Sequence, residues 1–358
     1  MSKNKIVTTE GAVEPEEIGA TLAHEHLFID QVTSWFEPLE KPREQRRAEQ
    51  PVTIKNLGYV RTNPLKNKDN MRLDSVETAI EEISKFHHAG GDTVVDLTPK
   101  GIGSDPEYVR RIGRAANVDI VHGTAFYTQA THPDRVETAS HDDLVTEFVD
   151  DVRNGIDDTD VRAGMIGEIG LSGSIHEQEE KVLRASARAA LRTGAPLNIH
   201  PPLFGPDQTP VGALRALDVL EEEGLPLDRV IVSHMDQDHA AMQDLDNHGR
   251  IADRGAYIEF DQWHAWTGYL DSQDKAYPSD PKRVDVAIEL IDSGYLDQLL
   301  FGHDVCTKMQ LTKYGGKGYV YLHDVVLPWL SARGVSRAQL ERIMVKNPRE
   351  ALTFAAPE

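Results

Sequence analysis

The chain has 358 residues, a formal net charge of −21, 39% hydrophobic residues and a single cysteine, Cys306. That acidic balance opposes binding to nucleic acid or an anionic membrane, both of which need a positive footprint. One cysteine excludes an intrachain disulfide framework and a cysteine-rich zinc site, and no apolar run approaches the roughly 18 to 20 residues of a membrane span.

Met1-Ser2-Lys3-Asn4-Lys5 is charged but is not followed by the apolar stretch and cleavage site of a secretory signal, which points to a cytoplasmic protein. The segment from Lys5 to Val13, with a turn at Glu10-Gly11, is expected to form a short hairpin. A first strand then runs through Ala20-Thr21-Leu22-Ala23-His24-Glu25-His26, followed by a long segment, 31–73, rich in Pro, Asn and Lys. Asp74 with Glu77 resembles a capping box, Ile80, Ile83 and Phe86 form an apolar stripe, and Gly90-Gly91 stops the helix. Strands are expected at 93–97, 118–122 and 164–168. Ser174 with Glu177 opens a helix carrying Val182, Leu183, Ala187 and Leu191, with Gly194 as its stop. Further strands at 196–200, 230–234, 256–260 and 298–302 alternate with helical patterns at 213–223 and 284–291. The seventh strand is followed by a second long segment, 262–283, with Trp263, Trp266, Tyr269 and Tyr277. Eight strands alternating with helices predict an α/β fold of the (β/α)8 TIM-barrel type, with residues 1–358 as a single domain. The hairpin would plug the base of that barrel, and the two long loops would wall its mouth.

The chemistry-bearing residues fall at one end of these strands. Fifteen histidines supply about 0.6 His-x-His spacings by chance, so His24 and His26 alone say little. As strand residues two apart they share a face and are able to grip one ion. Glu168 ends the fourth strand, His200 the fifth and His234 the sixth, while Asp304 follows the eighth. In a closed parallel barrel these C-terminal ends converge on one mouth. His24, His26 and Asp304 would then hold one divalent ion, His200 and His234 a second, and Glu168 would bridge them. Imidazole and carboxylate suit zinc, manganese, cobalt or nickel, with zinc taken first. Two such ions share and acidify a water, giving a hydroxide nucleophile, and Asp304 is the catalytic residue that takes its proton. His303, next to Asp304, points away from the mouth; His122 reads as a core histidine. His87, His88, His141, His176, His248 and His323 read as exposed, and Cys306 as small filler.

The set His24-x-His26, Glu168, His200, His234 and Asp304 is similar in order and placement to the amidohydrolase superfamily and specifically to its phosphotriesterase family. The closer resemblance is to phosphotriesterase-related proteins, through Pro51-Val52-Thr53-Ile54-Lys55-Asn56-Leu57, Asn63-Pro64, Ile166-Gly167-Glu168-Ile169-Gly170, and His303-Asp304 followed by Thr307-Lys308 and Lys313-Tyr314-Gly315-Gly316. One departure from the organophosphate hydrolases is Glu168, which stands where they carry a carboxylated lysine. The resemblance implies a binuclear metal hydrolase in which the bridging hydroxide attacks a small carbonyl substrate. The amide of an N-acetyltaurine or N-acyl amino acid is ranked first, with a lactone or carboxylic ester as the alternative and phosphotriesters as side substrates. An alternative of another class is a metal-containing binding protein without turnover. On this reading Tyr127, after the third strand, donates to the substrate carbonyl, and Lys308 pairs with a substrate anion. The expected partners are a small-molecule substrate and a second copy of the chain in a homodimer.

Overall fold

In a computed structural model of the chain, residues 3–37, 39–204, 208–238, 241–263 and 277–358 are described, together with the backbone of 269–270 and 275–276. Eight parallel strands form one sheet: β1 (Thr21–Glu25), β2 (Thr93–Asp96), β3 (Asp119–Thr124), β4 (Met165–Gly170), β5 (Leu197–His200), β6 (Val230–Val232), β7 (Tyr257–Phe260) and β8 (Leu299–Phe301), each beside its neighbour in sequence order. The sheet curls until its edges meet, where the N–H groups of His303 and Asp304 donate to the His24 carbonyl at 3.2 and 3.0 Å. Gly302 permits that closure, because a Cβ there would lie 2.7 Å from the His24 nitrogen. Helices α1 (Val76–His88), α2 (Pro106–Ala116), α3 (His141–Arg153), α4 (Glu177–Thr193), α5 (Val211–Glu222), α6 (Asp246–Asp253) and α7 (Asp280–Asp292) occupy the successive crossovers. The result is the (β/α)8 barrel that the alternation predicts.

The period of two along each strand divides the core. Val94 and Ile120 face outward into the helix layer, whereas Val95 and Val121 face inward with Ala23, Met165, Ile231, Tyr257 and Leu300. Each such branched side chain, fully buried, contributes about 1.5–3 kcal/mol. The hairpin forms as expected, Ile6–Thr8 against Gly11–Val13, and Ile6 joins the inward cluster. It therefore closes the end of the barrel opposite the histidines, leaving one open mouth.

Local boundaries differ from expectation in two places. The cap of α1 is Ser75, whose hydroxyl accepts from Thr78 N–H, while the Asp74 carboxylate is taken by Lys308 at 3.0 Å. Helix α4 begins at Glu177, and it is Glu179 that accepts from the His176 and Ser172 N–H groups. His248, expected on the surface, is fully buried in α6, with its Nε2 donating to the Met235 carbonyl at 2.7 Å.

The segment after β1 is built rather than loose. It carries helices Val32–Trp35, Pro42–Ala48 and Leu57–Thr62, and Val52, Leu57 and Val60 pack on Met309 beyond β8. In the segment after β7, Trp263 is fully buried against Phe260 and Phe301, and Tyr277 is buried. Trp266 and the Tyr269 side chain lie outside the described residues. Among the described residues no helix is long and apolar enough to cross a membrane.

Candidate metal centre

The strand ends bring His24, His26, Glu168, His200, His234 and Asp304 together at the mouth, as their positions predict. The register between β1 and β2 shifts between Leu22 and Glu25, and the register between β4 and β5 shifts between Ile166 and Ile169. These irregularities sit where His24 and Glu168 turn inward. His234 and Asp304 lie just past their strands with φ of 60° and 51°, a left-handed backbone that non-glycine residues adopt at a cost of order 1–3 kcal/mol and that clusters at functional sites.

Glu168 is at the centre. Its Oε1 lies 3.3 Å from His234 Nε2, 3.7 Å from His24 Nε2 and 3.9 Å from His200 Nε2, and its Oε2 lies 4.0 Å from His26 Nε2. Asp304 places Oδ1 3.2 Å from His26 Nε2 and 3.9 Å from His24 Nε2. Burial alone would raise the Glu168 pKa, but the surrounding imidazoles outweigh it, His200 first, and hold it down to about 2. The imidazoles thus favour the ionised form of Glu168.

Each imidazole has a hydrogen-bond partner, and in His24, His26 and His234 it lies on the nitrogen turned away from Glu168. His26 Nδ1 meets Thr98 Oγ1 at 2.9 Å, and His200 Nε2 meets the Tyr127 hydroxyl at 2.8 Å, which also receives the Trp35 indole N–H. His24 and His234 share one residue: Asp261 Oδ2 is 2.9 Å from His24 Nδ1, and Asp261 Oδ1 is 2.8 Å from His234 Nδ1. Burial disfavours charge on both rings, yet the Asp261 carboxylate more than offsets it, raising His24 well above an ordinary histidine and His234 to about 10. His200, with no such carboxylate, is held down to about 4 by burial.

Within the cluster, two buried ring atoms, His24 Nε2 and His200 Nδ1, make no hydrogen bond among the described residues. Buried polar atoms are seldom left so, and a cation is the partner that an unprotonated imidazole lone pair and adjacent carboxylates accept. The trios His24, His26, Glu168 and Glu168, His200, His234 each bring ligand atoms within 4.8 Å of one another. A third trio of that size, His24, His234 and Asp261, is already satisfied by the hydrogen bonds above. The donor set therefore fits two ions, with Asp261 holding ligands rather than metal.

The other residues singled out in the sequence divide. Tyr127 lines the cavity, but its hydroxyl is engaged with His200. Lys308 is placed elsewhere than expected: its ammonium pairs with Asp69 and Asp74 at 2.7 and 3.0 Å, and it is not among the residues that line the mouth cavity. The segment 31–73 returns to the residues beyond β8, and its Asp69 together with the following Asp74 captures the ammonium. His303 is buried beneath the site, with Nδ1 on Glu25 and Nε2 accepting from Leu322 N–H. His122 is a core residue held by Asp96 and Ser104. Cys306 lines the cavity, and burial pushes its thiol pKa well up. Asp261 and Gln262 were not singled out from the sequence, although Asp261 follows the seventh strand and obeys the strand-end rule that exposes the ligands. Gln262 Nε2 donates to Asp304 Oδ2 at 2.8 Å, fixing the oxygen that faces away from His26.

The cavity above the cluster holds about 630 Å³ of free space counted out to its open mouth. Ile29, Trp35, Leu65, Ile102, Leu203 and Phe204 form an apolar wall, while Gln31, Gln237, Gln262, Tyr277 and Gln310 form a neutral polar one. No lysine or arginine is among the described lining residues.

Residues 4–352 match the model of the Phosphotriesterase family. An N-acetyltaurine hydrolase from Salmo salar is 32% identical over 352 residues, spanning 98% of each chain. Among solved structures, a resiniferatoxin-binding protein from Rhodobacter sphaeroides has a TM-score of 0.92 at 39% identity, covering 98% of this chain and 95% of that one. A phosphotriesterase homology protein from Escherichia coli, complexed with phosphate in its active site, has a TM-score of 0.74 at 29% identity, covering 94% and 99%.

Proposed function

The chain belongs to the phosphotriesterase family and is a hydrolase, and from that premise we propose that it uses two divalent ions to cleave the amide of a small N-acyl compound of the N-acetyltaurine or N-acyl amino acid type. His24, His26 and Asp304 would hold one ion and His200 with His234 the other, zinc being the ion proposed first. The observation that carries this reading is the central place of Glu168, within 4.0 Å of all four imidazoles, which suits a carboxylate that would serve both ions. Bound there, the ions supply Lewis acidity and bring the pKa of a shared water toward about 7.

The protein's own residues do the rest. Asp304 receives a proton and returns it to the departing nitrogen, and Gln262 keeps its carboxylate aimed across the mouth. Asp261 holds the His24 and His234 rings in one tautomer, and Tyr127 with Trp35 orients His200. The apolar wall takes the uncharged part of the substrate and excludes bulk water. The amide preference is supported by N-acetyltaurine hydrolases at about a third identity over nearly the whole chain.

The deciding experiment is a hydrolysis panel on metal-loaded protein: N-acetyltaurine, N-acetyl amino acids, lactones, aryl esters and an organophosphate triester. The amides are expected to lead in kcat/KM relative to their uncatalysed rates. Lactone turnover exceeding the amides by orders of magnitude would replace this reading with a lactonase, and no turnover of any kind would favour a binding protein.

A further inference from the structure

One acceptor on the cavity wall is held without a donor. Gln237 lies three residues past His234, its side chain is buried, and it lines the cavity that contains Glu168, His200 and Asp304. Its amide nitrogen donates to the Tyr277 hydroxyl at 3.2 Å, while its Oε1 is buried and makes no hydrogen bond. A buried carbonyl left unpaired is unfavourable, and such atoms in folded proteins ask for an explanation.

The turn that carries Gln237 is tied to the barrel, and its amide is held by the Tyr277 contact. The Gln237 N–H donates to the His234 carbonyl at 3.2 Å. The preceding Asp236 accepts from the backbone N–H groups of Asp261 and Gln262 and from Arg283 Nε at 2.8 Å. Arg283, itself fully buried, is tied in turn to the Pro278 carbonyl and to Asp280. Gln237 therefore hangs from the same scaffold that sets Asp261 behind His24 and His234.

The geometry points to Gln237 as the residue that selects amides over esters, its Oε1 accepting the N–H of the bond to be cleaved. A secondary amide presents one donor at the scissile link, and a pocket acceptor pre-positioned for it gains a hydrogen bond without a reorganisation cost. An ester or lactone presents an oxygen there instead, placing lone pair against lone pair and leaving Oε1 buried and unpaired. Sites built to hydrogen-bond a substrate N–H reject the analogue that lacks it for this reason. The Tyr277 contact orients the group: with Nε2 on the phenol, the carbonyl end is the one left over. This inference rests on the hydrolase reading above and adds the residue that makes it an amidase.

The test uses metal-loaded protein and a matched pair, N-acetyltaurine and its oxygen isostere, the acetate ester of isethionate. In Gln237→Met, kcat/KM for the amide is expected to fall by about 10- to 100-fold while the ester changes less than about threefold. Gln237→Glu, which keeps an acceptor, is expected to restore most of the amide rate, and Gln237→Ala serves as a second truncation should Met disturb the turn. A readout without turnover comes from the Asp304→Asn background, where calorimetry is expected to show the Met substitution weakening the amide about tenfold and leaving the ester unchanged. Equal losses on both substrates, or none on either, would overturn the assignment of Gln237 and leave the hydrolase reading standing. Wild-type protein inert toward both substrates would overturn both.

Discussion

Asp304 divides its work between two oxygens, one beside His26 and one held by the Gln262 amide. Replacing it with Asn keeps the shape and removes the base, so Asp304→Asn is expected to lower kcat by about 10²- to 10⁴-fold with the unfolding temperature nearly unchanged; full activity would sink the proton-transfer role. Asp261 acts one step back, through two imidazoles. Asp261→Asn is expected to weaken metal binding by about 10- to 100-fold in a chelator-competition titration, with the ligands themselves intact. His248 makes a pH prediction. Burial pushes its pKa below the ordinary value, so the unfolded chain binds a proton that the folded one resists. Its contribution is present above the unfolded value near 6.5 and is lost as pH falls toward the folded one. Denaturant midpoints are therefore expected to drop from pH 7 to pH 5, and less so in His248→Gln; an equal drop in both proteins would count against this cause. The role of Asp304 was legible from its place past the eighth strand, whereas those of Asp261 and His248 were not. Asp261 and Gln262 became functional by contact, and His248 differs from a surface histidine only in where α6 packs.

Lys308 shows what an element adds to a residue. From sequence it is a cation four positions past Asp304, a plausible partner for an anionic substrate. In the fold it clamps the segment after β1 onto the segment after β8, through Asp69 and Asp74 and through its N–H to the Asn70 carbonyl. Lys308→Met is therefore expected to lower thermal stability and to increase proteolytic cutting within 31–73, while KM for anionic and neutral substrates moves by the same factor. A selective rise for the anionic substrate would return Lys308 to the site. The short strands and four of the seven crossover helices were readable because their periodicity is local. The caps of α1 and α4 slipped by one and two residues because Ser75 and Glu179 compete with equally good neighbours, and tertiary contacts decided between them.

At the scale of the whole molecule, the barrel converts distance in sequence into proximity. His24 and Asp304 meet because β1 and β8 close on each other over Gly302. Since the candidate ligands come from β1, β4, β5, β6 and the end of β8, bound metal ties much of the barrel together. Chelation is expected to lower the unfolding temperature, with restoration on adding zinc back, because an ion that binds only the folded form stabilises it by mass action. A melting curve indifferent to metal would argue against ligands on five strands. The same closure explains what the sequence could and could not determine. Strand periodicity, and the placement of His24, His26, Glu168, His200, His234 and Asp304 at strand ends, determined the barrel and the clustering of the candidate ligands, since parallel strands that close must bring those ends together. Only the tertiary structure decided that Asp261 contacts two candidate ligands, that Gln262 fixes Asp304, that Lys308 leaves the mouth and that Gln237, on the cavity wall, keeps an unpaired carbonyl. Those roles depend on which side chains touch across separate crossovers, and a local pattern carries no record of such contacts.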